Sequence, residues 1–311
     1  MNKAIARRPS QNRPARVRTM AATGALLLAA GCATSPGAGE ASPERVIAVT
    51  AANQLIEFVS GRPEHIVARR PLTGMQDGER IVGMDFRPSD GRLYAVGDSG
   101  QLYVINLSTA IAEAVGPGGF RTLASGDLGI DFNPTVDRIR LVNARGGNLR
   151  IHPGTGAVVD ADDKADGVQV DGEPGYAPGD ANAGRTPRLT GAAYTNSRAG
   201  AISTTNYAID SANGTLVTQG SGEKASTPVS PNTGRLFTVG SLGVNLGQGP
   251  VGFDISPGNV ALMTATVPSG RSELYRVNLT NGAAGRVGRV GVAEAVTAIA
   301  IVPVARQPMP R

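Results

Sequence analysis

Short apolar stretches alternate with turn-forming residues along most of the chain, and this pattern predicts β-strands rather than helices. One six-residue pattern, glycine-x-aspartate-apolar-x-proline, occupies residues 83–88 and recurs at residues 129–134 and 252–257. A copy that lacks the aspartate and the proline occupies residues 191–196. Self-similarity of this kind indicates a repeat architecture, in which each copy is one supersecondary unit.

A second pattern follows the first along the chain. The sequence Leu-Tyr-x-x-Asn-Leu occupies residues 102–107 and 274–279. Asn-Gly pairs at residues 213–214 and 281–282 follow apolar runs. They predict tight hairpin turns, because both residue types tolerate positive φ. Each copy is therefore predicted to contain four short antiparallel strands, and no segment after residue 40 shows a helical period.

Antiparallel four-stranded units in tandem are typical of a β-propeller, so the predicted fold class is all-β. The first unit lacks an inner strand, and residues 296–303 form a final strand with no unit after it. Pairing of this C-terminal strand into the first blade would close the ring. Residues 231–240 echo residues 88–97, so the blade count is five or six, and a two-sheet sandwich is the rival fold. The five-blade alternative has blades that begin near residues 46, 81, 127, 189 and 251.

These patterns, in this order, resemble the bacterial domain of unknown function numbered 4394. Two stretches carry the resemblance most specifically, namely Gly-Ile-Asp-Phe-Asn-Pro-Thr-Val-Asp-Arg-Ile-Arg at residues 129–140 and Gly-Ala-Ala-Tyr-Thr-Asn-Ser at residues 191–197. The resemblance extends over residues 46–303 and implies an exported bacterial β-repeat protein. It implies no catalytic residues.

The N-terminus has the features of an export signal. A basic segment precedes an apolar run, and the run ends in Leu-Ala-Ala-Gly-Cys at Cys32, which is the only cysteine. This resembles a bacterial lipobox, so we expect a signal peptide over residues 1–31 and lipidation of Cys32. The alternative is a plain secretory signal with an incidental cysteine, which would give a soluble periplasmic or secreted protein. The expected order continues with a flexible tether (32–44), the propeller (45–304) and a disordered tail (305–311).

The formal net charge of +5 comes from the N-terminus. Six of the 30 basic residues and none of the 25 acidic residues precede Cys32, so the chain from Cys32 onward carries 24 basic against 25 acidic residues. A near-neutral domain with 4% aromatic residues lacks the basic surface and the stacking platform that nucleic-acid binding requires. We therefore expect no nucleic-acid partner.

The sequence contains no complete catalytic motif. The two histidines, His65 and His152, have no second ligand at metal-site spacing, and there is no Gly-x-Ser-x-Gly motif or phosphate-binding loop. His152 takes the place of an asparagine at a strand end, which favours a role in a turn. No catalytic residue is predicted.

The repeated aspartates Asp85, Asp131 and Asp254 are the candidate ligand or metal site. If the strand that carries them is innermost in each blade, their carboxylates would converge at the mouth of the central channel. The alternative is structural, because an aspartate before a turn also accepts backbone N–H bonds.

An acidic stretch between the third and fourth units is a candidate calcium loop. Counted from Asp162, residues Asp166 and Glu173 fall on the fifth and twelfth positions of an EF-hand loop. Lys164 occupies the third position, where it would repel a cation, and flanking helices are not predicted. Calcium is the one cofactor that the sequence suggests, and a solvated, mobile insertion between blades is the alternative.

These features favour a non-enzymatic function. We expect a monomeric, lipid-anchored cell-envelope propeller that binds a protein, a glycan or a small-molecule ligand. The alternative is a metal-dependent envelope hydrolase or lyase of the propeller type, with its metal on the repeated aspartates.

Overall fold

The computed structural model describes residues 43–118, 120 and 127–303. Within these residues the strands form five sheets, built from antiparallel hairpins and arranged in a ring. We call each sheet a blade. This confirms the predicted all-β propeller and sets the number of blades at five.

Blades 1 and 2 each have four strands. The strands of blade 1, from the centre outward, are β20 (Val296–Ile301), β1 (Arg45–Thr50), β2 (Gln54–Val59) and β3 (Arg62–Pro71). Those of blade 2 are β4 (Ile81–Phe86), β5 (Leu93–Gly97), β6 (Leu102–Asn106) and β7 (Ile111–Val115).

The remaining blades differ in strand number. Blade 3 contains β8 (Leu128–Asn133), β9 (Arg138–Asn143) and β10 (Asn148–Ile151). Blade 4 contains β12 (Leu189–Tyr194), β13 (Asn206–Asp210), β14 (Thr215–Gln219), β15 (Arg235–Ser241) and the short β11 (Gly175–Tyr176). Blade 5 contains β16 (Val251–Ile255), β17 (Ala261–Thr266), β18 (Ser272–Val277) and β19 (Ala284–Arg289).

The inner strands form a closed ring. Strands β4, β8, β12, β16 and β20 contact one another in that order, and β20 also contacts β4. Strand β20 belongs to blade 1 because it pairs with β1, from Val46 opposite Ile301 to Thr50 opposite Val296. The predicted pairing of the C-terminal strand into the first blade is thus observed.

Five apolar clusters hold the blades together, one at each interface between neighbouring blades. Strands β5 and β16 are buried along their whole length, because a blade covers each of their faces. The outermost strand β19 has no fully buried residue. This gradient explains why the inner strands are mostly apolar in the sequence, whereas outer strands alternate or are polar.

Two departures from the uniform four-stranded prediction involve the segment between blades 3 and 4. A single bridge between Ile151 and Val158 takes the place of a fourth strand in blade 3. Beyond it the chain crosses to blade 4, where β11 pairs in parallel with β15 and adds a fifth strand. The long insertion between blades 3 and 4 therefore contributes residues to the sheets of both blades.

The echo at residues 231–240 is not a sixth blade. Residues Pro231–Thr233 form a short 3-10 turn, and β15 after it pairs with β14 as the fourth strand of blade 4. The same turn sequence is used a second time because it again leads into a strand. Gly234 ends this turn at φ 70°, a left-handed conformation that glycine adopts without strain.

Candidate functional site

Three aspartates occupy the same place on three of the five inner strands. Asp85 lies on β4, Asp131 on β8 and Asp254 on β16, each three residues before the proline of its repeat. A carboxylate oxygen from each lies within 4.8 Å of those of the other two. Their exposed fractions are 3%, 1% and 3%. The convergence expected from the sequence is observed, but the group is buried inside the ring instead of lining a channel mouth.

Two of these carboxylates accept hydrogen bonds across a blade interface. The backbone N–H of Phe132 donates to Asp85 Oδ2 at 2.8 Å, and that of Ile301 donates to Asp254 Oδ2. Both donors lie on the inner strand of the next blade. Asp254 Oδ1 also accepts the N–H of Ile255, its own neighbour. Asp85 and Asp254 therefore connect adjacent blades, which is a wider structural role than the turn-capping that the sequence suggested.

Asp131 differs from the other two aspartates. Among the described residues neither of its carboxylate oxygens has a hydrogen-bond partner. The backbone N–H of Tyr194 lies close enough to offset part of the rise in the Asp131 pKa, without reaching hydrogen-bond geometry. A buried carboxylate of this kind is unfavourable unless something compensates it.

Burial shifts the acidity of the whole group. It raises the pKa of Asp85 and of Asp131 well above the ordinary value, and repulsion from the neighbouring carboxylates raises both further. Burial also raises the pKa of Asp254 to about 6, although the N–H groups that it accepts offset part of the rise. At least one of three carboxylates this close is protonated unless a cation lies between them.

Glycines allow the inner strands to approach closely enough for this convergence. A Cβ on Gly129 would lie 2.2 Å from the backbone nitrogen of Ala192 on the next blade. A Cβ on Gly191 would lie 2.8 Å from Cβ of Phe253. The passage that these strands leave on the axis has a volume of only about 10 Å³, so it has no room for a substrate.

A wider cavity of about 250 Å³ opens where the inner strands begin. Its apolar lining includes Val82 on β4, Leu128 on β8 and Val251 on β16. Asp85 lies three residues beyond Val82, which is about 10 Å along an extended strand. The cavity is therefore a funnel at one end of the axis, and we refer to it as the mouth cavity.

Charged side chains border the mouth cavity. Arg80 Nε donates to Asp98 Oδ2 at 3.1 Å, and both residues belong to the lining. Asp127, also in the lining, accepts from the guanidinium of Arg188 in blade 4. Burial raises the pKa of Asp127, while the Arg188 charge lowers it. The cavity thus combines an apolar base with fixed donors and acceptors, an arrangement common in small-molecule sites.

The structure does not gather the residues of the predicted calcium loop. In the described parts of the chain, Asp85, Asp131 and Asp254 form the one group of three or more metal-ligating side chains with ligand atoms within 4.8 Å. Asp162 and Asp166 are exposed, and Asp162 Oδ1 accepts the backbone N–H of Lys164. Glu173 is also exposed. Calcium binding by this loop stays a prediction.

One acid in the same stretch has a structural role that sequence reasoning missed. Asp171 is buried and accepts hydrogen bonds from the guanidinium groups of Arg140 and Arg150. Arg140 is itself buried and also donates to Asn148 and Asn232. The network connects blade 3, the insertion and blade 4. The available signal was the arginine at position 140, which lies between apolar residues of β9, but its partner lies 31 residues away.

The remaining residues singled out in the sequence are His152 and those of the two chain ends. His152 Nδ1 accepts the N–H of Gly154 at 3.1 Å, which confirms its role in a turn. Cys32, the signal segment, most of the tether and the tail beyond residue 304 lie outside the described residues. Within residues 43–118, 120 and 127–303, no helix is long and apolar enough to cross a membrane.

Comparison with known families identifies the family of this chain. The family described as Domain of unknown function (DUF4394) matches residues 54–300. The chain belongs to this family. No significant match to a curated protein is found for this DUF4394 protein.

One similar solved structure is a structural genomics protein of unknown function from Bacteroides thetaiotaomicron. Its identity to this DUF4394 protein is 14%, and the TM-score is 0.45. The match covers 86% of this chain and 63% of that one. The chain therefore spans less than two thirds of the length of that relative.

Proposed function

We propose that this DUF4394 protein is an exported, lipid-anchored binding module of the cell envelope, and that it holds a compact polar ligand in the mouth cavity. The observation that carries the proposal is the mouth cavity itself, an apolar funnel on the propeller axis with charged groups at its edge. Its volume of about 250 Å³ is slightly below the range of sites for drug-sized molecules. A small ligand with several hydroxyl or ammonium groups matches this size and chemistry.

The charged pairs support recognition of such a ligand. The Arg80–Asp98 and Arg188–Asp127 pairs hold these side chains in place before a ligand arrives. Groups that are already fixed lose less conformational freedom on binding. Carboxylates accept hydrogen bonds from hydroxyl or ammonium groups, and the guanidinium of Arg80 donates to ligand oxygens.

Ligand binding can be tested with a panel of mono- and disaccharides and amino acids, scored by thermal shift and then by calorimetry. Ala51 is exposed and lines the mouth cavity, so Ala51→Trp should fill it. We expect a compound that stabilises the wild type to bind Ala51→Trp at least about tenfold more weakly, a loss of about 1.4 kcal/mol.

The matched control is Ala212→Trp, which changes an exposed alanine in a hairpin turn of blade 4 that does not line the mouth cavity. It should bind like the wild type. Equal binding by both tryptophan variants, or no binding by any compound, would contradict the proposed site.

Membrane anchoring is proposed from the lipobox-like sequence at Cys32. We expect wild-type protein expressed in a Gram-negative host to enter the membrane fraction, with an intact mass that shows a chain starting at Cys32 and carrying lipid. The Cys32→Ser variant should carry no lipid. If the two proteins differ in mass only by the substitution, the anchor is ruled out and secretion as a soluble protein is the remaining account.

The alternative, a metal-dependent hydrolase or lyase, has less support. Its metal would bind Asp85, Asp131 and Asp254, and these carboxylates are buried behind a passage of about 10 Å³. A substrate in the mouth cavity could not contact a metal there. The alternative would regain support if purified protein cleaved a model glycoside or ester and Asp131→Asn abolished that activity.

A further inference from the structure

The three axial aspartates have no charge partner among the residues that the structure describes. The ion pairs among the described residues involve neither Asp85, Asp131 nor Asp254. Each of the three is at least 97% buried, so water does not compensate their charge. A buried carboxylate in a protein is ordinarily paired, protonated or bound to a metal. With no ion pair to any described residue, the group is held either by protons or by a bound cation.

The unpartnered carboxylate of Asp131 is a separate observation that points to a ligand. Asp85 and Asp254 each accept at least one backbone N–H, whereas both oxygens of Asp131 lack a partner among the described residues. At least one of these oxygens lies within 4.8 Å of oxygens on the other two aspartates. Asp131 therefore retains lone pairs that a cation can bind.

The spacing of the oxygens suits a hard cation. Oxygens that lie within 4.8 Å of one another are at most about 2.8 Å from a common point, and Ca²⁺–O distances are 2.3–2.6 Å, so an inward shift of at most a few tenths of an ångström brings all three into bonding distance. Carboxylate oxygens that accept one N–H bond retain a second lone pair for a metal. The equivalent positions on β12 and β20 are alanines, Ala193 and Ala300, so no larger side chain from them fills the axis.

We propose that Asp85, Asp131 and Asp254 bind one divalent cation of the calcium class on the propeller axis. The cation would join blades 2, 3 and 5 and, through the Ile301 N–H that Asp254 accepts, blade 1. Because the site is buried, the role of the ion is to stabilise the ring. It is distinct from the mouth cavity and does not depend on a ligand there.

The test uses the full-length protein, freed of metal with EDTA and then titrated with CaCl₂ or MgCl₂. We expect about one ion per chain by elemental analysis and calorimetry, and a melting temperature that rises by several degrees when the ion is added. Asp131→Asn should abolish both effects. In EDTA this variant should melt at or above the wild type, because it removes a charge from a crowded buried group.

The matched control is Asp162→Asn, which removes one carboxylate from the acidic insertion and should bind the ion like the wild type. Loss of binding in Asp162→Asn with binding retained in Asp131→Asn would place the ion in that loop and overturn the axial site. An absence of any stoichiometric ion, together with an unchanged melting temperature, would overturn it as well. In that case shared protons, in place of a cation, relieve the repulsion among the three carboxylates.

Discussion

A chain that ends at residue 295 is expected to lose the cooperative folding of the whole propeller, although it lacks one six-residue strand and the residues after it. The missing strand is β20, the inner strand of blade 1. Its residues Val296, Ile299 and Ile301 are at most 2% exposed. Each buried side chain of this size contributes about 1.5–3 kcal/mol, so their loss alone is comparable with the total stability of a domain, about 5–15 kcal/mol.

The position of β20 makes the destabilisation caused by its removal larger than this sum of burial energies suggests. The strand pairs with β1 and contacts the inner strands of blades 2 and 5. Its Ile301 N–H donates to Asp254, and the Thr297 hydroxyl donates to the carbonyl of Ile81 in blade 2. Removal of the strand would leave these polar groups unpaired and would expose apolar faces of both neighbouring blades.

The reference for this experiment is a chain that ends at residue 303, since it keeps all of β20. Circular dichroism and size-exclusion chromatography should show one sharp thermal transition and a compact monomer for the longer chain. The shorter chain should show a broad transition and an expanded or aggregated species. A sharp transition within a few degrees of the reference would mean that ring closure by β20 is not what holds the propeller together.

Closure of the ring by the C-terminal strand was predictable because the repeat pattern marks inner strands. The glycine-x-aspartate pattern occurs only on inner strands, so its absence before β1 showed that blade 1 needed a strand from elsewhere in the chain. The convergence of Asp85, Asp131 and Asp254 followed for the same reason, since equivalent residues of inner strands face the common axis. Their depth in the ring was not predictable, because it depends on how closely the glycines let the blades approach.

Other features depend on contacts that produce no periodic pattern in the sequence. The strand that β11 adds to blade 4 is only two residues long, so it has no alternation to detect. Asp171 and Asp163 lie in the same acidic stretch and look equivalent in sequence, yet one is buried against two arginines and the other is exposed. Asp171 is buried because it pairs with Arg140 on β9, and the sequence around Asp171 carries no information about a partner 31 residues away.

Asp171→Ala is accordingly expected to be among the most damaging single substitutions, because it leaves the guanidinium of Arg140 buried without a counter-charge. The two side chains are 2% and 1% exposed, and removal of one partner of such a pair costs about 3–5 kcal/mol. For a domain of this size that corresponds to a fall in melting temperature of roughly 6–20 °C. The remaining partners Asn148, Asn232 and the Tyr194 hydroxyl are neutral and cannot replace the charge.

Thermal melting of Asp171→Ala beside Asp163→Ala separates this effect from a general loss of negative charge in the insertion. The exposed Asp163 should change stability by less than about 0.5 kcal/mol. Arg140→Ala should be less damaging than Asp171→Ala, because Arg150 still neutralises the carboxylate that remains. If Asp171→Ala and Asp163→Ala have the same melting temperature, the network does not anchor the insertion to blades 3 and 4. The apolar contacts between those blades would then be enough to stabilise this part of the fold.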